Sequence, residues 1–218
     1  MINGLILKDF IVFKKSITSL KVILPIGILL VLNLLLGKNG SNILNILIGL
    51  LVFSLSFSSY DEDTEQWELF TYSSKISNLI LVSARYIFLI SIMLLSVLFV
   101  YLLNISEYLL FNVESLHFIN FLMLVILLLF STVVIIFTPL IYLVGLNNVQ
   151  IIMIGIFGIV FVLFKFLKIP NWMNNLFSAI LSNNILMLLI IISLFIVLGT
   201  ISFFMSVFFA KKRSLNNF

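Results

Sequence analysis

Three long stretches of this chain, 86–106, 118–164 and 185–210, contain no Asp, Glu, Lys, Arg or His. Segments so long and so apolar fold in water only if other parts of the chain hide every face of them. This chain has little to hide them with. Hydrophobic residues make up 63% of it, charged residues only 9%, and the mean hydropathy is +1.33. An ordinary soluble domain is about a quarter charged. The alternative solvent is a bilayer, which a helix of about 20 apolar residues crosses. The hydrophobic content therefore supplies roughly six spans and leaves no room for an extramembrane domain. The strict alternation of barrel strands is absent, so the fold class read from the sequence is all-α integral membrane.

Six apolar runs define the expected spans: 21–36, 43–59, 79–103, 118–144, 149–166 and 185–209. A cleaved signal peptide is not expected in the first run, because no small-residue cleavage site follows it and the earliest alanine is Ala84. Orientation follows from the basic residues. Lys8, Lys14, Lys15, Lys21, Lys75, Arg85, Lys211, Lys212 and Arg213 fall on one side, against Lys38, Lys165 and Lys168 on the other. With an even number of spans, both termini are expected in the cytoplasm.

The connections differ from one another. Ahead of the first span, Ile6, Phe10, Phe13, Ile17 and Leu20 recur at helical spacing, with Lys8, Asp9, Lys15 and Ser16 elsewhere on the wheel. This predicts an amphipathic helix over 1–20 lying in the cytoplasmic interface; the plain alternative is a basic anchor. The loop 60–78 holds Asp61, Glu62, Asp63, Glu65 and Glu68, five of the chain's eight acids, interleaved with Trp67, Phe70 and Tyr72. Aromatic anchors among charges suit a protein interface, and they equally suit the headgroup belt. On the outer side, 104–117 is expected to hug the surface. The longer connection 165–184, with Pro170, Trp172, Phe177 and several asparagines, fits short interfacial or re-entrant helices.

Much chemistry is excluded. Zero cysteines and one histidine, His117, rule out disulfides, thiol catalysis and multi-histidine metal sites. A phosphate-binding G-x-x-x-x-G-K-[ST] loop is missing, since Gly37-Lys38 is preceded by Leu32 at the place of the first glycine. Spans without ionisable residues fit poorly with an ion-coupled carrier. The polar residues within the spans are small: Asn45 and Gly49 towards one end of the second, Ser54, Ser56, Ser58 and Ser59 towards the other, Thr138-Pro139 in the fourth, and Gly155 and Gly158 in the fifth. They suit helix packing, or a weakly polar path for an apolar or amphipathic substrate through Asn45, Gly49, Ser54, Ser56, Gly155 and Gly158.

An interfacial Leu7-Lys8-Asp9-Phe10 followed by Lys14-Lys15, then a Glu65 to Glu68 Glu-x-Trp-Glu loop, and an Ile80-Leu81-Val82 start leading to Arg85-Tyr86 resemble the membrane subunits of bacterial ABC exporters of the second permease superfamily. The resemblance spans essentially the whole chain, taken as a single permease domain over 1–218. Ser74-Lys75-Ile76-Ser77 stands where such proteins often carry a Pro-Val-Ser-Arg-like run. Among these subunits it resembles small Gram-positive permeases for amphipathic peptides, such as phenol-soluble modulin exporters and lantibiotic self-protection systems.

The resemblance implies an elbow helix over 1–20, a cytoplasmic coupling loop over 60–78 and a gate-like external loop over 165–184. It implies ATPase coupling through Asp61, Glu62, Glu65, Trp67, Glu68, Phe70 and Lys75. It further implies a multi-pass protein of the bacterial cytoplasmic membrane, paired as a homo- or heterodimer, exporting a peptide, toxin or lipid-like compound. A separate cytoplasmic subunit would bind ATP and Mg; no cofactor on this chain, no enzymatic activity and no nucleic-acid partner are expected. The other class left open is a membrane immunity or sensor protein that binds a peptide without transporting it.

Overall fold

The computed structural model describes residues 2–36, 41–60, 76–111, 116–145, 148–149, 151 and 185–216, and every element among them is helical. These elements are α1 (Ile2–Ile17), α2 (Leu20–Leu36), α3 (Ser41–Ser54) with a 3-10 segment (Leu55–Tyr60), α4 (Asn78–Phe111), α5 (Leu116–Val144) and α6 (Ile185–Asn216). Asn78–Leu109, Leu122–Val144 and Ile192–Lys212 are each long and apolar enough to cross a membrane. Ile2–Ile17 together with Val22–Leu32 forms one further candidate, bent by 63°. The expected fifth span and the connection 165–184 fall largely or wholly outside the described residues.

Local chemistry sets the boundaries. The Lys14 carbonyl accepts the Thr18 N–H at 3.0 Å, and the Thr18 hydroxyl donates to the Lys14 and Lys15 carbonyls at 2.9 and 3.1 Å, giving the Lys15 carbonyl a partner at the end of α1. The Ser19 carbonyl then accepts from Val22 and Ile23 at 2.9 and 3.1 Å and starts α2. At the start of α4 the Ser77 carbonyl does the same for Ile80 and Leu81, at 3.0 and 3.2 Å. Gly145, at φ 84°, ends α5 in the left-handed conformation that glycine adopts without strain.

The chain divides into two compact units, residues 1–134 and 135–218. In the first, α1 and α3 both pack on α4. Asn45 meets Asn104, and Gly49 lies against Val100, so α3 and α4 run antiparallel. A Cβ on Gly49 would collide with the Val100 side chain, so its absence is what allows the two backbones to approach. Phe53 stacks on Phe130 with centroids 4.7 Å apart and planes 8° from parallel. The expected surface connection over 104–117 begins later than the sequence suggested: α4 runs on to Phe111, and Asn104 is a buried helical residue.

In the second unit, Pro139 sits inside α5 and has no N–H to offer the carbonyl of Ile135, four residues back. The Ser202 hydroxyl of α6 donates to that carbonyl at 2.6 Å. Ser202, Ser206 and Ala210 form the buried edge of α6, while Phe204, Phe208 and Ile196 are exposed. Buried hydroxyls and exposed bulky apolar residues reverse the soluble pattern, as a bilayer requires.

Candidate functional site

The polar chemistry of the first unit gathers at two places along α4. Near its N-terminal end, Arg85 Nε lies 3.5 Å from Asp9 Oδ2 on α1, and Lys8 Nζ lies 3.6 Å from Asp9 Oδ1. Asp9 is 2% exposed and Arg85 4%. Phe88, one turn on from Arg85, receives Phe10 and Phe13 edge-on at centroid distances of 5.2 and 6.0 Å. An ion pair and an aromatic cluster therefore fasten α1 to α4 side by side. Burial pushes the Asp9 carboxyl above its ordinary 3.8, while Arg85 and Lys8 pull it back.

This geometry revises the reading of α1. Asp9 is not off the packed face; it lies at its centre, between Leu5 and Phe13, and Leu7 and Ile11 turn outward instead. The signal was present in the sequence: Asp9 is the only acid of α1, in phase with Leu5 and Phe13 at i±4, and Arg85 is the only basic residue of α4.

Towards the other end of α4, the Asn45 amide donates to Asn104 Oδ1 and to Glu107 Oε1, each at 3.0 Å. Asn104 in turn donates to the Val100 carbonyl at 2.9 Å. Arg85 and Glu107 are the only charged residues of α4. The rise of a helix puts them about 33 Å apart, close to the hydrocarbon thickness of a bilayer. The two clusters thus lie at opposite ends of the uncharged stretch of α4, and α1 is fastened beside one of them.

Around Arg85, α1 packs on the start of α4 and also on the 3-10 segment 55–60. These are the pieces that enter and leave 61–75, so α1 bridges both flanks of that loop. The candidates Asp61, Glu62, Glu65, Trp67, Glu68, Phe70 and Lys75, and Gly155 and Gly158, lie outside the described residues. Of the others, Asn45 is buried in the amide–carboxylate cluster and Gly49 is buried against Val100. Ser54 is exposed and donates to the Leu51 carbonyl at 2.8 Å; Ser56 is buried and donates to the Phe53 carbonyl at 2.6 Å.

Apolar helices of membrane length, with polar residues turned inward, define a multi-pass α-helical membrane protein. A family model described as ABC-2 family transporter protein matches residues 4–211, and the chain belongs to that family. No curated protein and no solved structure matches the chain.

Proposed function

We propose that this chain is the permease subunit of an ABC exporter, driven by ATP that a separate cytoplasmic subunit hydrolyses. Family membership implies an association of that kind. The observation that carries the reading is the placement of α1 against both flanks of 61–75. A partner pressing on that loop would move the 3-10 segment and the start of α4 together with α1, because α1 packs on both and Asp9–Arg85 with the Phe88 cluster fastens it to α4. The proposal places both termini, α1 and the loop on the cytoplasmic side of six spans, with two permease chains enclosing the path. An apolar or amphipathic substrate, such as a peptide or lipid-like compound, fits walls of Leu, Ile, Phe and Met better than a sugar or ion does.

The test is co-purification of an ATP-binding protein, with photo-crosslinkers placed at Trp67 and Glu68. Recovery of an ATPase crosslinked there supports the reading. A stable, folded chain that retains no such partner overturns it and favours a peptide-binding immunity or sensor protein. In vesicles, substitution of Trp67, Glu68 and Phe70 together should abolish ATP-driven export while leaving the membrane part assembled.

A further inference from the structure

We propose that the outward stripe of α1 binds an anionic phospholipid of the leaflet in which the helix lies. Leu7, Ile11, Lys14 and Thr18 follow one another at i, i+4, i+7 and i+11, opposite the face that packs on α4. Leu7 is 62% and Ile11 59% exposed, and with Phe10, Phe13 and Ile17 they line a groove of about 370 Å³, between the outward stripe and the α4-packed face, that reaches Lys14 and Thr18. Lys14 and Lys15 are exposed, and neither has an ion-pair partner among the described residues. The Thr18 hydroxyl turns back onto the Lys14 and Lys15 carbonyls. Its proton is committed there, so recognition of an anion falls to the two ammonium groups.

Depth decides the occupant. Asp9–Arg85 fastens the opposite face of α1 to the boundary of the uncharged segment of α4, where hydrocarbon gives way to headgroups. The groove therefore offers apolar surface at that boundary and ends on one cation, Lys14, with the exposed Lys15 beside it. A molecule complementary to both has an anionic head on an apolar tail, which describes an acidic lipid. Each lysine near an anionic membrane surface favours binding about fivefold, so the pair should make the site strongly selective for anionic over zwitterionic lipid. The inference needs only the membrane placement of α1 and stands apart from transport.

Because the chain has no cysteine, Ile11→Cys introduces a single thiol for a bimane label. The labelled full chain is reconstituted in phosphatidylcholine vesicles containing either brominated phosphatidylglycerol or brominated phosphatidylcholine at equal mole fraction. Stronger quenching by the brominated phosphatidylglycerol is expected, with that preference lost in Lys14→Gln/Lys15→Gln. Equal quenching by both lipids overturns the proposal, because α1 then lies in lipid without selecting it. Quenching by neither also overturns it, because protein then covers the stripe. Native mass spectrometry gives a reading without the cysteine: the unlabelled wild type should retain several-fold more phosphatidylglycerol per chain than Lys14→Gln/Lys15→Gln, and equal retention counts against the site.

Discussion

Arg85 Nε stands 3.5 Å from Asp9 Oδ2, both side chains almost wholly buried, and this contact joins the lone acid of α1 to the lone basic residue of α4. Removing one member of a buried pair leaves the other charge uncompensated, a loss of about 3 kcal/mol. Arg85→Ala is therefore expected to lower the detergent-solubilised protein's stability by that order and to release α1. Thermal unfolding and protease sensitivity near 1–20 report the two effects. The swap Asp9→Arg with Arg85→Asp should recover a large part of the loss; a swap no better than Arg85→Ala would show that the pair is not what holds α1.

The raised pKa of Asp9 makes the same contact sensitive to pH. The unfolded chain releases this proton first, near 3.8, and the folded chain releases it only at higher pH. The stability this group contributes is thus fully present below 3.8 and is lost as the pH climbs through the folded value. Relative to Asp9→Asn, which has no proton to release there, the wild type should gain melting temperature as the pH is lowered from neutral towards 3.8. The subtraction removes contributions common to both proteins.

Gly49 faces the Val100 side chain at a distance that leaves no room for a methyl group. Valine branches at Cβ and cannot swing its methyl clear without changing rotamer. Gly49→Ala should therefore cost about 2 kcal/mol through forced separation of α3 and α4. Val100→Ala in the same chain should restore most of it, read as a thermal double-mutant cycle. Additive effects would refute close packing at this crossing.

Ser202 and Ile135 answer to Pro139. With the Ser202 hydroxyl removed, the Ile135 carbonyl loses a partner that no helical N–H replaces, and Ser202→Ala should cost about 1 kcal/mol. Pro139→Ala restores an N–H at the position able to reach that carbonyl. The serine substitution should then be nearly silent in the Pro139→Ala background, and an unchanged cost there would sink the assignment.

Much of this architecture was legible in the residues. Uncharged runs longer than a bilayer is thick can be solvated only by lipid, and they marked α4, α5 and α6 to within a few residues, apart from the C-terminal extensions of α4 to Phe111 and of α6 to Asn216; the shorter run 21–36 marked α2. Thr18, Ser19, Ser77 and Gly145 then set helix ends through local hydrogen bonds and one left-handed φ. Such terms act within four residues and are written in the chain itself.

The meeting of Asp9 with Arg85, of Asn45 with Asn104 and Glu107, and of Ser202 with the carbonyl above Pro139 was decided by tertiary structure. Helical periodicity groups residues on a face, but it does not say which face a neighbour will cover. In α1 two apolar stripes compete: one containing Leu5 and Phe13, the other Leu7 and Ile11. Lipid accepts either with nearly equal ease. Only the placement of a guanidinium and of Phe88 on α4 settles the choice, because a buried carboxylate needs a cation beside it or a proton on it.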